Sequence, residues 1–370
     1  MIVIQDGPRW LQFEEPVRVV CVTEPGDVLA ALHDVETAVS TQNLYAAGFL
    51  SYEASSAFGL DVHPAADDVP LLWFGLYEEP KHPRFLKPRM SADYQLGTWQ
   101  TEVGWSEYHG AIQEIKKQIA AGNTYQVNYT FPMTTSFSGE PWALFADLAM
   151  AQDGGYGAYV DTGQHVICSS SPELFFRLDG DVLTSKPMKG TAVRGLTPLE
   201  DDENVAWLQQ SEKNRAENVM IVDMIRNDMG RVAETGSVQV PSLFDVERYP
   251  TVLQMTSTVT ANTTASITEI FQAMYPCASI TGAPKVRTME LIRELEPQAR
   301  GVYTGAIGYI APDRQAQFNV AIRTVTVDRE KETAVYNVGS GVVWDSDAQE
   351  EYEECLLKAK VLDGARTIVI

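Results

Sequence analysis

The sequence predicts an α+β fold, and two observations carry that prediction. Three strand-like runs follow one another late in the chain, at Tyr303–Ala311, Gln317–Val327 and Thr333–Val343. A hairpin is signalled by Asp179-Gly180 between the apolar runs Leu174–Leu178 and Asp181–Ser185. Antiparallel strands with helices interspersed, without strict βαβ alternation, oppose a doubly wound sheet. The chain has 370 residues, 45% of them apolar, enough for a large core and too many for a disordered chain.

In order, short strands are expected at Val17–Val22, Ala46–Tyr52 and Leu71–Tyr77, with a helix at Pro25–Ser40. Glu78–Ala92, rich in proline and basic residues, reads as a linker or crossover and sets a soft boundary near residue 95. A helix follows at Ser106–Ala121, where Ile112, Ile115 and Ile119 share one face and Gly122 suits a C-cap. Strand Gln126–Pro132 precedes a helix from Pro141 to about Ala151. A long helical region spans Asp202–Asp228, with Val219, Val222, Ile225 and Met229 as its apolar stripe. Another helix opens at Thr281-Gly282-Ala283-Pro284, with Pro284 at its first position. The last helix starts after Asp345-Ser346-Asp347 and runs to about Val361.

A formal charge of −22 opposes a nucleic-acid-coating role and binding to anionic membranes. No window holds 18 consecutive apolar residues, and the start lacks a signal-peptide pattern. Cys21, Cys168, Cys277 and Cys355 are dispersed and form no CxxC, so neither a zinc site nor a disulfide framework is predicted. A cytoplasmic enzyme is expected. With no HExxH and no GxSxG, zinc and serine hydrolases are disfavoured.

Three places could carry chemistry. A turn at Asp179-Gly180 would put Glu173 opposite Lys186, with Lys189 at most about 10 Å further along. Glu173 and Lys189 could then share a site as acid and nucleophile. The same spacing also suits an exposed cross-strand ion pair. Glu351, Glu354 and Lys358 lie at i, i+3 and i+7 on one helical face. Two carboxylates there could hold a hard divalent ion, although a surface charge network is the commoner use of this spacing. Glu217 could add a further carboxylate. Thr281-Gly282-Ala283-Pro284-Lys285 offers a glycine-bearing helix N-terminus to an anion, and Gly339-Ser340-Gly341 a second close backbone approach.

Together and in this order, six blocks resemble the chorismate-utilising enzymes. They are Gly122–Asn128, Ser171–Arg194, Lys213–Arg231, Ile280–Met289, Gly301–Ile310 and Gly339–Lys360. The resemblance implies two antiparallel β-sheets packed as a sandwich, with helices outside in four layers and the active site in a cleft. Residues 1–95 would complete the sandwich and 96–370 would form the chorismate-binding catalytic domain. Pro187-Met188-Lys189-Gly190-Thr191 is similar to the motif of the aminodeoxychorismate synthase branch, whose lysine attacks C2 of chorismate; anthranilate synthases usually have alanine there. Gln126 stands where isochorismate and salicylate synthases carry a water-activating lysine. Gln254 stands where anthranilate synthases carry a histidine.

Carried over by this resemblance, Lys189 is the nucleophile and Glu173 the acid for the departing C4 hydroxyl. Thr281 is similar to the family's active-site threonine. Glu217 and Glu354 would hold Mg²⁺, with Glu351 assisting. Tyr303, Arg323, Lys358, Gly339, Gly341 and Gln126 fall among the substrate-binding positions. The implied reaction is chorismate plus ammonia to 4-amino-4-deoxychorismate, with ammonia from a separate glutamine amidotransferase subunit. A separate lyase would then make 4-aminobenzoate for folate. No LLES-type motif supports tryptophan binding. The alternatives are anthranilate synthase component I and a non-catalytic chorismate-binding subunit.

Overall fold

Strands buried on both faces explain why so many runs of this sequence are continuously apolar. A computed structural model describes residues 1–65, 69–83, 93–152, 154–250, 252–359 and 362. The expected linker lies partly outside these residues, as does the expected end of the last helix at Val361.

Two antiparallel sheets dominate. The first runs, edge to edge, Gly282–Ala283, Gln126–Gly139, Thr333–Val342, Thr324–Asp328, His165–Ser169, Ala158–Asp161, Ile2–Asp6 and Arg9–Phe13. The second runs Met188–Val193, Val252–Asn262, Val182–Lys186, Leu174–Asp179, Gln315–Val320, Ala306–Ala311, Tyr45–Leu50, Leu72–Tyr77 and Arg18–Val22. Side-chain alternation divides each strand between two cores. Ile2 and Ile4 face an inner layer with Phe49, Trp73 and Ile307, whereas Val3 faces the opposite way. Ile167 likewise points inward and Val166 and Cys168 outward. The inner layer therefore lies between the sheets. Helices cover both outer faces: Trp105–Ala120 and Ala348–Ala359 on the first, Val28–Gln42, Glu212–Gly230 and Ile267–Met274 on the second. This is the four-layer α+β arrangement expected.

Several boundaries differ from the sequence reading. The helical region Asp202–Asp228 is two helices, Pro198–Gln210 and Glu212–Gly230. Ser211 breaks it: with ψ at 111° it leaves the helix, and its hydroxyl accepts from the Asn214 N–H. Val219 is exposed, so Ile221, Val222, Ile225 and Met229 form the buried stripe. The hairpin turn is Gly180-Asp181, because Asp179 pairs with Val182. Gly180 takes a positive φ of 57° there, which glycine adopts without strain. A bulge between Leu174 and Arg177 then sets Lys186 opposite Leu174, not Glu173. Gly282–Ala283 is a short strand paired with Val127 and Gln126, and Pro284 is the N-cap of helix Lys285–Leu295. The predicted strand Gln317–Val327 is two strands, one in each sheet, and the chain crosses between sheets at Ala321–Arg323. The N-terminal hairpin Ile2–Asp6 and Arg9–Phe13 was not anticipated.

Candidate active site

Strand Met188–Val193, at one edge of the second sheet, meets strand Gln126–Gly139, the next-to-edge strand of the first. Gln126 and Asn128, two apart on strand Gln126–Gly139, share a face. Gly341 pairs directly with Asn128. A Cβ at Gly341 would lie 2.9 Å from Lys189 Nζ, 2.8 Å from Gln126 Nε2 and 3.2 Å from Asn128 Oδ1. Glycine at this position thus leaves room where three functional side chains meet. Lys189 reaches the spot from the other sheet, on strand Met188–Val193, and its Nζ donates to Asn128 Oδ1 at 3.2 Å.

Glu173 lies just before strand Leu174–Asp179 and is 2% exposed. Burial pushes its carboxyl up to about 7, against the Ser279 hydroxyl, the Lys189 charge and the Met188 N–H. Lys189 is pushed below its ordinary value, chiefly by burial; Lys358 acts in the same direction, while Glu217, Glu173 and Glu354 oppose it. The pair expected from the sequence is therefore brought together, by a bulged strand instead of the simple register. Burial favours the protonated acid at Glu173 and the neutral amine at Lys189. Gln126 is fully buried, and neither atom of its amide has a protein partner among the described residues; Glu173 Oε1 also lacks one. Unsatisfied buried polar atoms are uncommon in folded proteins, and both of these groups neighbour Lys189, Gln126 at Gly341 and Glu173 through its charge.

Helix Ala348–Ala359 contributes Glu354 and Lys358, both electrostatically coupled to Lys189. Lys358 Nζ donates to the Gly339 carbonyl at 2.9 Å and lies 2.7 Å from Glu354 Oε1. Glu351 is buried and accepts from the Ser346 hydroxyl at 2.8 Å. Glu217, on helix Glu212–Gly230, is raised by burial; Glu351 and Glu354 add to the rise, and Lys189 and Lys213 oppose it. Among the described residues, no three acidic, histidine or cysteine side chains converge into a preformed metal cluster. The donor set still fits a hard divalent cation. All three groups offer carboxylate oxygens, and the mutual repulsion felt at Glu217 is what such a cation would relieve. Mg²⁺ commonly needs only one or two protein carboxylates.

The remaining predicted positions fall on two sides of this centre. Thr281 is fully buried, but its hydroxyl donates to the Ala278 and Cys277 carbonyls, so it fixes its own turn. Arg323, at the crossover, takes a positive φ of 50° and is electrostatically coupled to Tyr336 and Tyr249. Tyr303 is buried and coupled to Arg300 and Tyr336. Tyr336 in turn donates to the Lys358 carbonyl at 3.4 Å. Gln254 is committed to the strand bearing Lys189: its Nε2 donates to the Gly190 carbonyl at 2.9 Å and its Oε1 accepts from Thr191. Asn128 stood in the Gln126-Val127-Asn128 run without a role, although its spacing from Gln126 marks the shared face.

A family model described as chorismate binding enzyme matches residues 11–363. The chain belongs to the chorismate-binding enzyme family. Aminodeoxychorismate synthase component 1 of Escherichia coli is 39% identical over 258 residues, covering 69% of this chain and 56% of that protein. The Bacillus subtilis protein of the same name is 40% identical, covering 76% and 59%. The chain thus spans under two thirds of the length of these relatives. Anthranilate synthase component I from Streptococcus pneumoniae superposes with a TM-score of 0.83 at 25% identity, covering 98% of this chain and 92% of that one. The sandwich and its helical outer layers are therefore those of chorismate-binding enzymes.

Proposed function

We propose that this chain aminates chorismate at C4, giving 4-amino-4-deoxychorismate, as an aminodeoxychorismate synthase component. The observation that carries the reading is the lysine of Pro187-Met188-Lys189-Gly190-Thr191. Its amine lies among Asn128, Gln126 and Gly341, and it is electrostatically coupled to Glu173. In this reading the neutral Lys189 amine attacks C2 of the ring, both ring double bonds shift, and Glu173 gives its proton to the C4 hydroxyl, which leaves as water. Ammonia then attacks C4, both double bonds shift back, and the bond to Lys189 breaks. The ammonium formed at C4 returns a proton to Glu173 and Lys189 departs as the neutral amine, which closes the cycle. Gln126 lacks the basicity to activate water at C2, which keeps direct hydroxylation out of the reading. Tyr303, Arg323, Lys358 and the backbone at Gly339 and Gly341 would orient the second carboxylate, and Thr281 would hold the turn beside it. Glu217 and Glu354, with Glu351, would hold Mg²⁺. When bound, the ion would neutralise the ring carboxylate and favour the neutral lysine.

Ammonia would come from a glutamine amidotransferase partner in the cytoplasm, and the product would feed 4-aminobenzoate and folate synthesis. No helix among the described residues is long and apolar enough to cross a membrane. The test is a product assay with chorismate, Mg²⁺ and an ammonium salt, with products identified by mass and pyruvate measured in parallel. An aminated product that keeps its enolpyruvyl group, without pyruvate, is expected. Anthranilate with stoichiometric pyruvate would overturn the reading. Lys189→Ala is expected to abolish turnover, and full retained activity would refute the covalent step.

A further inference from the structure

Asn128 is engaged at every polar atom, by three separate segments. Its N–H donates to the Thr281 carbonyl at 2.8 Å. Its carbonyl accepts from Arg300 Nη2 at 2.8 Å. Its side-chain oxygen accepts from Lys189 Nζ at 3.2 Å, and its side-chain nitrogen donates to the Ser279 carbonyl at 3.0 Å. The Ser279 hydroxyl, which bonds with Cys277 Sγ at 3.2 Å, also lies close enough to Glu173 to hold its carboxyl down. Behind this, Arg300 and Glu296, each 2% exposed at the side chain, form an ion pair at 2.6 Å. Arg300 Nη1 donates to the Ile280 carbonyl, and Glu296 accepts the Thr130 N–H.

We propose that Asn128 is a positioning residue that sets the Lys189 amine and, through Ser279, keys it to the Glu173 carboxyl, with the Arg300–Glu296 pair clamping the backbone on both sides. An amine reaching across from another sheet has several rotatable bonds, and a single fixed acceptor narrows its directions. An amide suits the task because it is neutral: it orients the amine without holding it protonated, as a carboxylate would. The charged groups facing Lys189 are Glu173, Glu217, Glu354 and Lys358, and an added anion would join an already negative surround. Ser279 makes the coupling reciprocal, since one short turn serves both the acid and the amide.

The proposal rests on the reading above, and its test separates the two. The rate at which an amine-reactive reagent labels Lys189 at fixed pH, read by peptide mass, needs no substrate. In Asn128→Asp, of nearly the same shape, labelling should slow at least about tenfold, because a carboxylate beside the amine favours its charged form. Asn128→Ala should lower kcat by about 10²-fold with little change in KM, the cost of a misplaced reacting group. Ser279→Ala should lower kcat without altering Lys189 labelling. Wild-type labelling in Asn128→Asp overturns the proposal even if the alanine variant does not fold, as does wild-type kcat in a folded alanine variant. If the wild type forms no aminated product, the assigned reaction fails, and the labelling comparison still decides whether Asn128 sets the amine.

Discussion

Glu173 is buried without a full set of partners, so its protonation should mark stability as well as activity. Its carboxyl titrates near 7 in the fold and near 4.5 when unfolded. Below about 4.5 both states hold the proton and its full contribution is present. That contribution is lost as pH rises through 7, where the native state must carry a buried charge. Glu173→Gln stays neutral throughout. The stability of the wild type relative to this variant should therefore fall by roughly 3 kcal/mol between pH 4.5 and pH 8, measured by denaturant unfolding. A parallel pH dependence in the two proteins would reject the raised value. Gly341 makes a second prediction. The atoms a Cβ would meet first are the ends of the Gln126 and Lys189 side chains, with the Asn128 amide, pinned by its hydrogen bonds, slightly further off. Gly341→Ala should fold with a melting temperature close to wild type yet lose about 10²-fold in kcat. Loss of folding with no specific catalytic defect would argue that the glycine only relieves a crowded strand.

At the scale of elements, the buried Arg300–Glu296 pair ties helix Lys285–Leu295 to strand Gln126–Gly139. Arg300 also lies over the Tyr52 ring, and its N–H donates to Glu53, so residues from the first part of the chain share the joint. Arg300→Met leaves Glu296 buried and unpaired and should cost about 3–5 kcal/mol. Adding Glu296→Leu should recover part of that loss, and no recovery would mean the pair acts through its backbone contacts alone. Local signals made most element types legible. The isoleucine spacing found helix Trp105–Ala120, and the apolar runs found the strands. What could not be read locally was where tertiary pairing intervenes. The turn at Gly180-Asp181 and the bulge between Leu174 and Arg177, which together set Lys186 opposite Leu174, are fixed by pairing to two neighbours. The crossover at Ala321–Arg323 interrupts a run that reads as one strand. Ser211 carries an N-cap signal that the surrounding helical pattern hid. The residues of the candidate site were legible as types in order, and the resemblance supplied the roles proposed for them. Asn128, Ser279 and Arg300 act through contacts that span distant segments, which no local spacing reports.

For the molecule as a whole, the first part of the chain is structural in both sheets. Ile2–Asp6 pairs with Ala158–Asp161, and Tyr45–Leu50 pairs with Ala306–Ala311. A variant beginning at residue 93 would expose the inner apolar layer along with two sheet edges. It should be recovered as aggregate, and a soluble, active fragment would show that the sandwich closes without those strands.

That pairing also has a consequence in time. Strand Tyr45–Leu50 lies between Leu72–Tyr77 and Ala306–Ala311. A ribosome adding about 5–20 residues per second needs tens of seconds to deliver the second neighbour. Until then an apolar strand has one open side, and so does the sheet it belongs to. The nascent chain must be sheltered through that interval, and slower synthesis or warmer growth should reduce yield before any change in the finished enzyme is seen.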